Sequence, residues 1–154
     1  MGRARVCESC GETHFPRTDP AIIVAITDDQ DRLLLGHHRT WKPGRYSLLA
    51  GFAEAGESLE QAVVREMAEE VRIEVRDITY AGSQPWPMPR SLMVGFWATA
   101  TSTLPQPDGE EITAASWFSR QDLTEMVSRQ EVSLPLDGSI AHRLITRWLG
   151  DGMT

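Results

Sequence analysis

The stretch Gly51–Ile73, GFAEAGESLEQAVVREMAEEVRI, decides how this chain is read. From Ser58 onward, Leu59, Ala62, Val63, Met67 and Val71 recur at spacings of three and four, so one face of a helix is apolar. Ser58 followed by Gln61 has the form of a capping box and sets the helix start. Beside that face, Glu66 lies three residues from Glu69 and four from Glu70, so three carboxylates project together. Like charges so placed repel, and only Arg65 and Arg72 offer nearby compensation. The cluster therefore calls for a cation. Hard carboxylate oxygens, with no His or thiolate among them, suit Mg²⁺ or Mn²⁺ better than Zn²⁺. The competing reading is a solvated, Glu-rich helix face.

Outward from the helix, strands and turns alternate. Ala21–Thr27 (AIIVAIT) reads as a buried strand, residues 28–31 (DDQD) as a turn, and Arg32–His37 as a second strand. Residues 38–46, with Pro43 and Gly44, read as a polar loop, and Tyr46–Ala50 as a short strand running into Gly51. Beyond the helix, strands are expected around Val75–Ala81, Ser91–Thr99 and Thr113–Phe118. Helices are expected over Arg120–Arg129, behind Ser119, and over Ser139–Leu149, stopped by Gly150. The first twenty residues, with Pro16 and Pro20, read as an extended lead-in. Strands interleaved with three helices predict an α/β (α+β) layered fold. No repeat or long linker divides it.

Composition narrows the function. The chain has 154 residues and a formal charge of −7, from 15 Lys and Arg against 22 Asp and Glu. At 41% hydrophobic and 24% charged it has the make-up of one folded domain rather than a disordered chain. No apolar run approaches the ~20 residues of a membrane span, and no apolar segment follows the basic N-terminus as in a secretory signal. A cytoplasmic protein with no membrane partner is expected. An acidic surface opposes broad, salt-driven attachment to nucleic acid, so DNA is not an expected partner. Phosphate chemistry here needs a local positive charge, which a divalent metal supplies. Cys7 and Cys10, in CESCG, match one knuckle of a zinc ribbon. The second pair is absent and His14 is the only further donor at hand, so a reduced thiol pair is the alternative.

The stretch 51–73 also follows a longer pattern: Gly51, five residues, Glu57, seven residues, Arg65-Glu66, an apolar Met67, and then Glu69-Glu70, with apolar Ile73 closing it. From average residue usage, a chance match is roughly one in a million, and about a hundred times commoner given the enrichment of Glu in helices. The spacing resembles that of the Nudix hydrolase superfamily. One position departs, since Arg72 stands where the family has a helix-ending Gly. A left-handed conformation there costs a non-Gly residue about 1 kcal/mol, which threatens the helix exit more than the chemistry. The string SQPWPMP at 83–89, with CGETHFPRTDPAIIVAI before it and SLMVGFWATA after it, resembles the NADH pyrophosphatase branch, which usually has Phe at Met88.

That resemblance implies a Nudix fold, a mixed β-sheet sandwiched between helices, over residues 20–150. It makes 1–19 a partial zinc-ribbon knuckle and lead-in. It implies hydrolysis of the diphosphate of NADH or NAD⁺ to nicotinamide mononucleotide and AMP, and removal of NAD caps from RNA in some members. Glu66, Glu69, Glu70 and Glu111 would be metal ligands, with Glu70, or Glu69 beside it, the general base. Glu57 would pair with Arg65. Phe52, Gln84, Trp86, Ser91, Ala141 and Phe15 match substrate-contacting positions; core packing is the alternative for Phe52 and Phe15, and a solvated turn for Glu111. Homodimers are usual in the branch, with the Trp of SQPWP reaching the partner's site. Family members carry a further N-terminal domain and a four-cysteine ribbon, so this chain resembles a shortened form or a fragment with half a zinc site. The competing functions are hydrolysis of another nucleoside diphosphate, such as ADP-ribose, and nucleotide binding without catalysis.

Overall fold

A computed structural model of the chain describes residues 4–150. The lead-in is not simply extended. It opens with a small hairpin, β1 (Arg5–Val6) paired antiparallel with β2 (Thr13–His14). The Cys7 N–H donates to Glu12 O at 2.8 Å and the Gly11 N–H to Cys7 O at 2.9 Å, which turns the cysteine knuckle back on itself.

Strand β3 (Asp19–Thr27) organises everything after it. Its side chains alternate, sending Ile22, Val24 and Ile26 into one core and Ile23 and Ala25 into another, all of them buried. A strand apolar on both faces requires cover on both. The turn into β4 (Leu33–His38) is held by Asp28, whose carboxylate accepts the N–H groups of Gln30 and Arg32 and meets the Arg32 guanidinium at 2.6 Å. β5 covers Leu49–Phe52, starting three residues later than the sequence suggests, because Ser47 makes only an isolated bridge to Gly36.

Helix α1 (Leu59–Val71) follows, then β6 (Val75–Trp86), β7 (Ser91–Ala100), β8 (Ile112–Phe118), α2 (Arg120–Ser128) and α3 (Ile140–Gly150). The six-stranded sheet runs β6-β7-β3-β4-β8, with β5 also paired to β3. The β3–β7 pair is parallel and the others antiparallel, so the sheet is mixed. Ala62, Val63, Met67 and Val71 of α1 pack on one face; Leu123 of α2 and Ile140, Leu144, Ile145 and Trp148 of α3 pack on the other. Among the described residues, no helix is long and apolar enough to cross a membrane.

Register places the site. Ala21 of β3 pairs with Phe52 on one side and Met93 on the other, and Met93 pairs in turn with Gln84. Paired residues share a face, so Phe52, Ala21, Met93 and Gln84 form one row across four adjacent strands. The SQPWP string thus belongs largely to an edge strand rather than a loop, since β6 continues through Trp86.

Candidate active site

Helix α1 starts as its sequence indicates. Ser58 Oγ accepts the Gln61 N–H at 3.2 Å, and Gln61 Oε1 accepts the Ser58 N–H at 2.7 Å. At the far end Arg72 takes φ 55°, ψ 36°, the left-handed conformation that the family's Gly would adopt, and the Ile73 N–H reaches Met67 O at 3.0 Å. The apolar face anchors the helix to the sheet, and this aims the flank carrying Glu66 and Glu70 at the end of β5. Contact there is tight. A Cβ on Gly51 would lie 2.0 Å from Glu66 Cδ, so the Glu66 carboxyl occupies the space that a side chain at position 51 would fill.

Arg65 binds four groups at once. Its guanidinium donates to Glu57 at 2.7 and 3.2 Å, to Glu66 at 3.0 Å, to Glu69 at 3.1 Å and to Phe52 O at 2.9 Å. These partners raise the Arg65 pKa, Glu57 most of all, and the same bond holds Glu57 below the usual carboxylate range. The helix is thereby tied to the loop before it.

A second element brings the remaining acids in. The Gln106 N–H donates to Val71 O at 2.7 Å and the Asp108 N–H to Glu70 O at 2.9 Å, docking residues 106–111 on the open carbonyls at the end of α1. The Asp108 carboxylate then accepts N–H groups from Glu110, Glu111 and Ile112 at 2.9–3.2 Å. Burial pushes Asp108 upward, but these backbone bonds outweigh it and hold the pKa low. The loop so formed presents Glu111 to the cavity that Glu66 also lines.

The consequences fall on Glu70, which is only 6% exposed. Burial, then the charges of Glu66, Glu111, Asp108 and Glu69, push its pKa up to about 8. Glu66 is raised too, by burial first, with Arg65 opposing. Among the described residues, Glu70 Oε2 is buried with no hydrogen-bond partner. Such an atom is costly unless a cation or proton reaches it. Among the described residues, no three acidic, His or Cys side chains are already drawn to a common point as metal ligands. Glu66 and Glu69 are instead held by Arg65. The donor set is all oxygen and mutually repelling, and it contains an orphaned buried oxygen. It fits a hard divalent ion.

Two cavities open along the row of paired residues. The first, of about 540 Å³, is lined by Phe52, Glu66, Glu111, Ser91, Trp86 and Met93 among others. The second, of about 260 Å³, shares Trp86 and Met93 with it and adds Arg45, Gln84, Leu136 and Ala141. Phe52 is 59% exposed at the mouth, so packing in the core does not account for it. Both amide groups of Gln84 are engaged: Nε2 donates to Gly138 O at 2.9 Å and Oε1 accepts the Ile140 N–H at 2.7 Å, which seats the head of α3 beside the cavity. Phe15, 72% exposed, lines neither cavity, and Glu57 faces away along a separate groove.

Sequence reasoning missed Asp108, Arg45 and Met93. Asp before Gly in DGEE was a turn signal for Asp108, and the alternation in SLMVGFWATA places Met93 on one face. Nothing local marks Arg45. At the front, Cys7 and Cys10 are free thiols. Hydrogen bonds from the Ser9 hydroxyl, then from the Cys10 and Ser9 backbone, lower the Cys7 pKa to about 6. His14 lies 3.9 Å from Glu12.

A sheet covered by helices on both faces, with a carboxylate-bearing helix capped against a Gly-containing strand, defines a recognised class. The chain belongs to the Nudix family: the NUDIX domain model matches residues 17–148. Among its curated relatives, the "NAD-capped RNA hydrolase NudC" of Mycobacterium bovis (strain BCG / Pasteur 1173P2) is 44% identical over 161 residues, covering 96% of this chain and 50% of that protein. The "NAD-capped RNA hydrolase NUDT12" of Macaca fascicularis is 41% identical over 160 residues, covering 96% and 35%. The chain thus spans about half the length, or less, of these relatives. Among solved structures, a NUDIX hydrolase from Nitrosomonas europaea aligns with TM-score 0.74 at 20% identity, covering 95% of this chain and 78% of that one. The NUDIX domain of Shewanella oneidensis NrtR, crystallised with ADP ribose, aligns with TM-score 0.68 at 20% identity, covering 91% of each. At such identity the structural likeness speaks for the fold.

Proposed function

We propose that this chain hydrolyses the diphosphate bond of NADH, NAD⁺ and the NAD cap of RNA, releasing nicotinamide mononucleotide and AMP or an RNA that begins with AMP. The observation that carries this reading is that the two cavities share Trp86 and Met93 in their walls. A dinucleotide is a doubly charged centre flanked by two flat, weakly polar bases. An acidic, cation-seeking cavity beside a largely apolar one, with Trp86 in the wall of both, matches that distribution. The relatives at 41–44% identity, named for hydrolysis of NAD-capped RNA, support it.

Glu66, Glu69, Glu70 and Glu111 would hold Mg²⁺ or Mn²⁺. Bound there, the ion neutralises diphosphate charge and acidifies the attacking water. Glu70 would take the water's proton, since a carboxyl pushed up to about 8 is matched to proton transfer near neutral pH. Water adds to one phosphorus, the bridging P–O bond breaks, and its electron pair leaves with the other nucleotide. Arg65 acts as a positioning residue that keeps Glu66 and Glu69 on the cavity side. Phe52, Trp86 and Met88 are exposed around the mouth, which suits closure by a second copy of the chain; light scattering against concentration checks the dimer. Cys7 and Cys10 supply two of the four donors that a zinc site needs.

Comparing kcat/KM for NADH, NAD⁺ and ADP-ribose with Mn²⁺ tests the assignment. The expected order places both dinucleotides well above ADP-ribose, which lacks the nicotinamide ring. A preference for ADP-ribose would overturn it.

A further inference from the structure

Between Asp31 and Glu54 the chain carries no acidic residue, although it has 22 Asp and Glu in all. This acid-free span includes the loop 39–48, which joins β4 to β5 and holds Arg39, Lys42 and Arg45 beside Trp41 and Tyr46. Among the described residues, none of these three cations enters an ion pair. Arginines elsewhere are neutralised: Arg32 sits on Asp28, Arg90 on Asp19 and Arg120 on Asp31. In a chain of net charge −7 the loop is thus a local patch of opposite sign.

Trp41 belongs to neither core. Its indole packs on His37 and His38, with ring centres 6.4 and 5.7 Å away, and the Arg45 guanidinium lies over it at 4.9 Å. A planar cation stacked on an indole offers flat surface and charge together. Backbone bonds hold the arrangement. The Trp41 N–H donates to His38 O at 2.9 Å and the Arg45 N–H to Lys42 O at 3.2 Å, while His37 Nδ1 donates to Arg45 O at 2.7 Å. The Tyr46 N–H reaches Ser133 O at 3.0 Å, and the Ser133 N–H returns to Gly44 O at 2.8 Å. Gly44 takes φ 79°, and a Cβ there would fall 2.6 Å from Glu131 O, so this close approach requires glycine. A surface fixed in this way loses little freedom on binding.

The loop meets both arms of the site. At one end the Arg39 N–H donates to Glu111 O at 2.9 Å and its guanidinium to Glu110 O at 3.0 Å, which fastens it to the segment carrying Glu111. At the other end Arg45 lines the apolar cavity with Gln84 and Trp86. We propose that loop 39–48 binds the single-stranded RNA that follows an NAD cap. Lys42 and Arg45 meet its phosphates, and the stacked Trp41 and Arg45 meet a base. An acidic peptide would satisfy the cations alone; the stack favours a polyanion that carries flat rings. The link to a cap rests on the function proposed above, whereas binding of the RNA chain needs no hydrolysis. NADH has no chain beyond its adenosine and makes no use of the loop.

Fluorescence anisotropy of a 3′-labelled, uncapped oligoribonucleotide in EDTA gives the direct test. For Lys42→Glu/Arg45→Glu the Kd should rise at least about tenfold, and the slope of log Kd against log salt should flatten by about 0.7 per lost contact. Lys42→Glu alone should raise it about fivefold. Arg76→Glu, the same charge change on the far edge strand β6, should raise it less than about twofold. An oligoglutamate of equal charge should compete at least about tenfold less well than unlabelled RNA. An unchanged Kd in the double variant, equal weakening by Arg76→Glu, or equal competition by oligoglutamate overturns the proposal. In turnover, Lys42→Glu should raise KM for an NAD-capped oligoribonucleotide about fivefold and leave NADH kinetics within about twofold, since Lys42 lines neither cavity of the site. Should wild type turn over neither NADH nor capped RNA, the function proposed above fails; loop-dependent anisotropy would still uphold the RNA surface, and its absence would reject it.

Discussion

The backbone N–H of Asp108 donates to the carbonyl of Glu70 at 2.9 Å, so the loop that carries Glu111 is fastened to the residue it works beside. The Asp108 carboxylate completes the loop by accepting the N–H groups of Glu110, Glu111 and Ile112. Two segments about forty residues apart in sequence thereby share one site.

Asp108→Ala leaves three N–H groups without their acceptor and frees Glu111. We expect kcat/KM to fall about 10- to 100-fold and the apparent metal requirement to rise, with a stability loss of about 1–2 kcal/mol. Asp108→Asn, which keeps one acceptor oxygen, should recover much of the stability. Titration of activity with Mn²⁺ and thermal melts separate the two effects.

Gly51→Ala puts a methyl group into the space that the Glu66 carboxyl occupies, 2.0 Å from Cδ. Glu66 is the movable partner, so the fold survives and the carboxylate swings away. The variant should melt within a few degrees of wild type while losing at least about tenfold in turnover. A large fall in Tm with activity retained would show that the backbone, not Glu66, gives way.

Glu70 couples stability to pH in the metal-free chain. Its folded pKa of about 8 exceeds the ordinary 4.5, so the folded state binds the extra proton between those values. Stability contributed by the protonated form is present at pH below about 5 and is lost as pH rises through about 8. In EDTA, the Tm of wild type should therefore fall across this window relative to Glu70→Gln, whose neutral amide carries no such penalty. At pH 8 the variant should melt roughly 4–8 °C higher. Adding Mg²⁺ or Mn²⁺ should raise the Tm of wild type far more than that of the variant.

Local chemistry explains what was legible in the sequence. The span of α1, its Ser58 and Gln61 cap and its buried face follow from periodicity and side chains within one turn, so they were readable before any coordinates. The central strand was readable for the same reason, being apolar on both faces. The candidate carboxylates came from spacing and resemblance, and the fold sets Glu66 and Glu111 around one cavity. Asp108 escaped notice because its role depends on docking against the carbonyls of a helix that ends near residue 71. Gln84 was expected to meet substrate, yet the role its amide performs, seating α3, depends on backbone 54 and 56 residues further along. Long-range pairing of this kind leaves no local trace.

Arg72 offers a test of the helix exit. It holds φ 55° where the family has Gly, and its guanidinium gains only a 3.5 Å approach to Gln106 Oε1. Arg72→Gly should stabilise the protein by about 0.5–1 kcal/mol, with kcat/KM unchanged. A destabilised variant would mean that the Gln106 contact matters more than the backbone strain.

The central claim is that carboxylates gathered at the end of α1 hydrolyse a dinucleotide diphosphate with a divalent ion. Release of AMP and nicotinamide mononucleotide from NADH, followed for wild type and Glu70→Gln with Mn²⁺ and with EDTA, tests it most directly. The account predicts product only from wild type with metal, and a loss of about three orders of magnitude in the folded Glu70→Gln protein. Equal turnover by the two proteins, or product formed in EDTA, would contradict it.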